Sequence, residues 1–236
     1  MKAFQFNTTP GIRFGSDYSV STAEEVSKKL GNKILFVTDP GLEKIGLHKK
    51  TVTELQKYSE ILIFDNVEAD PSIKTLLNCV QQGRDFDATG VIGFGGGSSM
   101  DVSKLTALLI GSNENIHEAW GVANAKGPRL PLALYPTTSG TGSEVTPISI
   151  ITQEDLEKKG VSSPIILPDL AILDPSLTLG LPPHITAATG IDAMVHAIES
   201  YASKSVNNNL ISQTLAKEAL KLLGSSIRQA VINGKD

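Results

Sequence analysis

Residues 90–110 read GVIGFGGGSSMDVSKLTALLI. The first five of them form an apolar run of strand length, and three consecutive glycines at 95–97 follow it. From residue 98 to residue 110 the apolar positions recur along one stripe of a helix. The stretch therefore predicts a buried strand, a tight glycine turn and a helix, in the order that α/β proteins repeat.

Strands and helices alternate on both sides of this unit. Strands that are apolar at every position are buried on both faces, which indicates a parallel sheet covered by helices. The fold class predicted is α/β. The predicted strands are 33–38, 60–65, 90–94, 132–135, 148–152 and 170–173, and the predicted helices are 21–30, 49–58, 71–82, 98–110, 188–202 and 208–232.

The start of the chain predicts an edge of the sheet. Apolar residues from Phe4 to Phe14 alternate around a Thr-Thr-Pro-Gly turn, which favours an antiparallel N-terminal hairpin. An exposed edge of this kind invites pairing with a second copy, so we expect a homodimer or a higher homo-oligomer. Thr22 and Glu25 are spaced as a capping box for the helix that follows.

Composition excludes several classes of protein. The formal net charge is -4 and basic residues are interspersed with acidic ones, so no nucleic-acid partner is expected. No leader pattern and no apolar run of about 20 residues is visible, so we expect a cytoplasmic protein without a membrane partner. Cys79 is the single cysteine and lies in an apolar helical setting, which predicts a buried structural thiol.

The glycine run has the features of an anion site. It joins a strand to a helix, where backbone N–H groups and the helix N-terminus favour negative charge, and Ser98 adds a hydroxyl donor. A diphosphate would fit, and a turn without a ligand is the alternative. The usual dinucleotide fingerprint fails, because no acidic residue follows at the expected spacing. Asp39 lies upstream instead, at the end of an earlier strand. Its carboxylate there would accept hydrogen bonds from a ribose, and a plain turn without a ligand is the alternative.

Two further motifs carry candidate chemistry. Residues 136–144 (PTTSGTGSE) hold five hydroxyls and two glycines, suited to wrapping a diphosphate or a nicotinamide amide, or to a solvated connection. Asp192 and His196 lie four residues apart on a predicted helix and project from one face. An oxygen and an imidazole nitrogen suit Fe(II) or Zn(II), whereas a capping Asp and a structural His are the alternative.

Taken in order, these motifs resemble the iron-dependent (group III) alcohol dehydrogenases, in the wider fold group of glycerol dehydrogenase and dehydroquinate synthase. The resemblance covers nearly the whole chain and rests on residues 95–104, 137–144, 174–175, 181–183 and 186–199. It implies an NAD-binding α/β domain over residues 1–179 and the beginning of an all-α metal-binding domain over residues 180–236.

The resemblance also implies roles for particular residues. The implied cofactor-binding residues are Asp39, Gly96, Gly97, Ser98, Asp101, Thr137, Thr138 and Lys158, with Lys159 as an alternative to Lys158. Within this set the glycines and the serine hold the NAD diphosphate, the threonines line the cofactor, and Asp39 sets a preference for NAD over NADP. Asp192 and His196 resemble the first two of the family's four metal ligands.

The implied activity is NAD-dependent interconversion of a small-molecule alcohol and its aldehyde or ketone, assisted by Fe(II) or alternatively Zn(II). The family takes two more histidines from later helices, and this sequence stops at Asp236. An incomplete metal site is therefore expected, in a chain that binds NAD(H) but turns over alcohol poorly or not at all. A cyclising lyase of the dehydroquinate synthase type and a non-catalytic nucleotide-binding fragment are the alternatives.

Overall fold

The computed structural model describes residues 3–235. The strands are β1 (Gly11–Phe14), β2 (Lys33–Val37), β3 (Glu60–Phe64), β4 (Gly90–Gly95), β5 (Gly121–Val122), β6 (Leu132–Pro136), β7 (Ile148–Thr152), β8 (Lys158–Ser162) and β9 (Leu170–Leu173). The helices are α1 (Tyr18–Ser21), α2 (Ala23–Leu30), α3 (Pro40–Ile45), α4 (Lys49–Leu55), α5 (Ile73–Asp85), α6 (Gly97–Ser112), α7 (Ile116–Ala119), α8 (Pro183–Ala202) and α9 (Leu210–Ile232).

The chain divides into two compact units. The α/β unit takes Thr8–Thr137 and Ser143–Ser176. The helical unit takes the segment up to Asn7, Thr138–Gly142 and the segment from Leu177 onward. The sequence predicts a domain boundary between residues 179 and 180, close to Leu177, whereas the short segment Thr138–Gly142 is grouped with the helical unit from the middle of the chain.

The α/β unit is built on a six-stranded sheet with the order β1-β9-β6-β4-β2-β3. Every neighbouring pair in it is parallel, which confirms the predicted fold class. All residues of β4 and β6 are buried, as expected for strands with helices over both faces. Because the strands run the same way, the segments that follow β2, β4, β6 and β9 lie along one edge of the sheet, its carboxyl edge.

A second, smaller sheet has the order β5-β8-β7. Strand β8 pairs antiparallel with β7, with Thr152 opposite Lys158 and Ile148 opposite Ser162. The sequence does not predict β8, because KKGVS has neither an apolar run nor a clear alternation. Its pairing with β7 stabilises the strand instead.

The predicted N-terminal hairpin is wrong. Residues 3–9 form no strand, and β1 pairs parallel with β9, with Gly11 opposite Leu170. Alternating apolar residues predict an extended segment, but they do not specify its partner. The predicted capping box is also wrong: the Thr22 hydroxyl donates to the Tyr18 carbonyl oxygen at 2.6 Å, and Glu25 pairs with Arg13.

The helical unit contains α8 and α9. Asn209 caps α9 by accepting from the amides of Ile211 and Ser212, and the Ser212 hydroxyl accepts from the Asn209 amide in return. Helix α8 begins at Pro183, five residues before the predicted start, because proline is well tolerated in a first turn. None of the helices over residues 3–235 combines the length and the apolar character needed to cross a bilayer.

Candidate cofactor site and metal ligands

Three predicted cofactor segments follow neighbouring strands of the α/β unit. Asp39 comes two residues after β2, the glycine run ends β4 and begins α6, and Thr137 follows β6. Strand β4 lies between β2 and β6, and the Thr137 amide donates to the Gly95 carbonyl oxygen at 3.0 Å. The carboxyl edge of a parallel sheet is the place where ligands of α/β proteins bind. The fold therefore brings these segments together.

Asp39 uses its two carboxylate oxygens differently. Oδ1 accepts from the amides of Gly41 and Leu42 at 2.9 and 3.0 Å, so the residue caps α3, which the sequence alone presents as a turn. Oδ2 lies on the side of the glycine run, where a Cβ built on Gly95 would meet it at 3.3 Å. The helix cap therefore leaves one oxygen of Asp39 directed toward the predicted diphosphate site.

The glycine run has a backbone that a side chain would obstruct. Gly95 has φ +152°, and a Cβ there would lie 2.7 Å from the Ser99 hydroxyl oxygen. Gly96 is the N-cap of the 16-residue helix α6, without a side-chain cap, and Gly96, Gly97 and Ser98 are partly exposed. The first amides of α6 therefore remain open to an anionic ligand, favoured by the helix dipole.

Asp101 and Lys104 form a buried network in the α/β unit. The Lys104 side chain is fully buried, and its Nζ donates to the Ser143 hydroxyl and to the Ile148 carbonyl oxygen, both at 2.7 Å. Ser143 Oγ donates to Asp101 Oδ1 at 2.7 Å, and the Ile150 amide donates to Asp101 Oδ2 at 2.9 Å. Both carboxylate oxygens of Asp101 thus accept from protein donors, in the residue that the resemblance assigns to the cofactor.

The charges in this network are strongly perturbed. Burial lowers the pKa of the Lys104 ammonium to about 8, against the opposing attraction of Asp101 and Glu144. Burial likewise raises the pKa of Glu144, with Lys104 opposing it. Sequence reasoning missed Lys104. Its signal is a lysine three residues after an aspartate on an otherwise apolar helix, since a buried lysine needs partners.

The predicted cofactor lysine has a different partner. Lys158 Nζ pairs with Asp70 Oδ1 at 2.6 Å, and the two side chains are 56% and 70% exposed. The alternative, Lys159, pairs with Glu157 Oε2 at 3.5 Å. Exposed pairs of this kind contribute little to stability and exchange readily. Lys158 is therefore held only by a weak, exposed ion pair.

The predicted metal ligands lie one turn apart on α8. His196 Nε2 is 3.6 Å from Asp192 Oδ1, and the two side chains are 51% and 44% exposed. A carboxylate oxygen and an imidazole nitrogen on one accessible helix face form a donor pair that fits Fe(II) or Zn(II). Within residues 3–235, no third His, Cys, Asp or Glu joins them in a metal-binding group.

The helical unit also has an apolar cavity of about 450 Å³. Side chains from α9, including Leu222, Leu223 and Ile227, line it together with Thr186 and Thr189 of α8. Asp192 and His196 are not among its lining residues. The two candidate ligands therefore face a separate part of the helical surface.

Cys79, in the α/β unit, is fully buried, as predicted, and burial raises the pKa of its thiol to about 12.

Comparison with known proteins gives the family to which the chain belongs. The family profile described as iron-containing alcohol dehydrogenase matches residues 9–175, and that of the family's C-terminal part matches residues 186–236. The chain belongs to the iron-containing alcohol dehydrogenase family. The resemblance predicted from the motifs is confirmed.

Relatives in the iron-containing alcohol dehydrogenase family match almost the whole chain. Sulfoacetaldehyde reductase of Bilophila wadsworthia is 40% identical over 99% of the chain and 60% of its own length. Long-chain-alcohol dehydrogenase 1 of Geobacillus thermodenitrificans is 44% identical over 89% of the chain and 53% of its own length. The structure of sulfoacetaldehyde reductase from Bifidobacterium kashiwanohense in complex with NAD+ matches with a TM-score of 0.91 at 29% identity, over 100% of this chain and 62% of that one. The chain thus spans between 53% and 62% of the length of these relatives.

Proposed function

We propose that the α/β unit binds NAD(H) at its carboxyl edge, as the nucleotide-binding domain of an oxidoreductase that interconverts a small alcohol and its aldehyde or ketone. The observation that carries this proposal is the pairing of two features beside Gly95. One is the open N-terminus of α6, and the other is the carboxylate oxygen of Asp39 that does not cap α3.

Each feature suits a different part of the dinucleotide. The amides of Gly96 and Gly97 and the hydroxyl of Ser98 bind the diphosphate, because the helix N-terminus favours a negative charge. Asp39 accepts from the adenosine ribose and repels a 2′-phosphate, which favours NAD over NADP. Lys158 exchanges Asp70 for the cofactor, and Thr137 and Thr138 follow the strand next to the glycine run.

The helical unit contributes ligands for a metal ion. Asp192 supplies a carboxylate oxygen and His196 an imidazole nitrogen, and we propose Fe(II) as the metal, with Zn(II) suited to the same donors. When bound, such a metal supplies Lewis-acid polarisation of the alcohol or carbonyl oxygen. The role of Asp192 and His196 is to hold the metal and to leave further coordination positions for other groups.

The relatives favour hydride transfer over the lyase alternative. Those matched above are named as a reductase of an aldehyde and a dehydrogenase of long-chain alcohols, and one was solved with NAD+. We therefore propose an alcohol or aldehyde as the substrate. A lyase that regenerates its NAD shows no net NADH formation with simple alcohols, so absorbance at the NADH band separates the two activities.

We also propose that the chain self-associates through the edge strand β1. This strand ends the six-stranded sheet, and Ile12 and Phe14 are 46% and 70% exposed. Uncovered edges with apolar side chains favour pairing with another chain. Light scattering tests this proposal: Phe14→Lys should shift the chain toward the monomer, and an unchanged mass would contradict it.

Titration of the full chain with NADH, followed by fluorescence, tests the cofactor proposal. We expect saturable binding of NADH that is weakened by Ser98→Ala, together with weaker binding of NADPH. Anaerobic calorimetry with Fe(II) tests the metal proposal, with the double substitution Asp192→Asn and His196→Ala as the matched control. No NADH binding by the folded chain, or Fe(II) binding that the double substitution leaves unchanged, would overturn the corresponding part.

A further inference from the structure

Lys104 is a fully buried charged residue that the proposed function does not use. It lies in the second turn of α6, among buried neighbours on that helix such as Met100 and Leu108. Removing an ammonium from water costs several kcal/mol, and an apolar side chain of similar volume would pack this position at no such cost. The lysine therefore reduces stability relative to an apolar residue, so its contacts need an explanation other than stability.

Both hydrogen-bond acceptors of Lys104 belong to the segment that leads into β7, while its ion-pair partner Asp101 lies on α6. We call residues 138–142 the hydroxyl-rich loop; Ser143 is the first residue of the α/β unit after it, and Ile148 is the first residue of β7. Asp101 binds the same segment through Ser143 Oγ and the Ile150 amide. The side chains of Asp101 and Lys104, one turn apart on α6, thus hold residues 143–150 against this helix by hydrogen bonds.

The same helix begins with the glycine run. The other root of the hydroxyl-rich loop, Thr137, is fixed to Gly95 by its amide. Both roots of the loop, Thr137 and Ser143, are therefore attached to the β4–α6 unit, one at the glycine run and the other through Asp101 and Lys104. The positions of Thr137 and Ser143, both in the α/β unit, are thereby fixed relative to the glycine run.

We propose that Lys104 is a positioning residue for cofactor binding. Its ammonium holds Ser143 and Ile148 against α6, and this contact keeps the root of the hydroxyl-rich loop in register with the glycine run. The inference rests on the proposed function, since it concerns the same NAD(H) site. Lys104 is sealed from solvent, so it acts through Ser143 and not by contact with the cofactor.

The test compares NADH dissociation constants of full-length variants. Lys104→Met removes the charge and keeps the volume, and Ser143→Ala removes the hydroxyl that joins Lys104 to Asp101. Leu108→Ala is the control, because it opens a cavity in the core beside α6 and lowers stability without removing a hydrogen-bonding group of Asp101, Lys104 or Ser143. We expect Lys104→Met and Ser143→Ala each to weaken NADH binding about tenfold or more, and Leu108→Ala to change it less than about twofold.

The double variant provides a readout that a loss of stability alone does not produce. If Lys104 acts through Ser143, the double variant binds NADH about as weakly as either single variant, whereas independent effects multiply to about 100-fold. Multiplying effects, or single variants within about twofold of the wild type, would overturn the inference. If Lys104→Met does not fold, the test is the NADH dissociation constant of Ser143→Ala compared with that of Leu108→Ala. Wild-type chain that binds no NADH would instead refute the proposed function.

Discussion

Asp39→Asn separates the two roles of Asp39, because its oxygens have different partners. Oδ1 accepts from the amides of Gly41 and Leu42, while Oδ2 is directed to the side of Gly95. Asparagine keeps one oxygen for the helix cap and replaces the other with an amide group. Asp39→Ala removes both oxygens and is the matched comparison.

The magnitudes follow from the chemistry of each oxygen. Asparagine and aspartate cap helices about equally well, so Asp39→Asn should change the free energy of unfolding by less than about 0.5 kcal/mol, and Asp39→Ala should lower it by about 1 kcal/mol. A bond to a charged acceptor is about twice as strong as a neutral one, so losing the charge should cost about 2 kcal/mol of NADH binding. That free energy corresponds to about a 30-fold weaker dissociation constant. NADPH binding should strengthen by about fivefold, because repulsion of its 2′-phosphate is removed.

The assay is a fluorescence titration of each variant with NADH and with NADPH, next to urea denaturation. The expected result for Asp39→Asn is near wild-type stability with a preference for NADH that falls by about two orders of magnitude. An Asp39→Asn variant that keeps the NADH preference of the wild type would refute the cofactor role. An Asp39→Asn variant that loses as much stability as Asp39→Ala would refute the assignment of Oδ1 to the helix cap and Oδ2 to the cofactor.

Three other predictions concern stability. Gly95→Ala places a Cβ 2.7 Å from the Ser99 hydroxyl oxygen, so urea denaturation should show that the free energy of unfolding falls by about 2 kcal/mol. Gly224→Ala, whose Cβ would meet nothing within 4 Å, should raise it by up to about 1 kcal/mol. Equal effects of the two substitutions would contradict this. Asp174→Asn leaves part of five hydrogen bonds unmade and should cost about 3 kcal/mol. Burial alone would raise the pKa of Asp174, but these donors hold it below its ordinary value, so wild-type stability should fall in acid and that of Asp174→Asn much less. Burial lowers the pKa of Lys104 from 10.5 to about 8, so between these values the unfolded chain binds more protons than the folded chain. The free energy of unfolding of the wild type should therefore rise by about 2 kcal/mol between pH 8 and pH 10 relative to that of Lys104→Met. Parallel plots of stability against pH for the two proteins would argue against a buried ammonium.

Local sequence patterns predicted most of the six-stranded sheet. Strands β2 and β4 are continuous apolar runs whose burial on both faces does not depend on which strand lies beside them. The glycine run was also identified as a tight turn between a strand and a helix, because consecutive glycines favour such turns. Helix α3 was missed since Pro40 suits a turn and a first helical turn equally, and only the amides of Gly41 and Leu42 bound to Asp39 distinguish them.

The errors at β1 and β8 share one physical cause, which is that a strand depends on a partner strand that its own residues do not specify. Alternating residues near Phe14 suggested a neighbouring strand, and the actual partner β9 lies about 160 residues later. Strand β8 forms because β7 offers it hydrogen bonds, although its own residues have no strand pattern.

The sequence by itself determined the α/β class, the family, and which residues are candidates for binding the cofactor and the metal, because apolar periodicity, consecutive glycines and helical spacing are local properties of the chain. Tertiary structure alone decided which oxygen of Asp39 remains beside Gly95, and that Lys104 meets Ser143. These residues are far apart in sequence, so no local pattern encodes which of them meet.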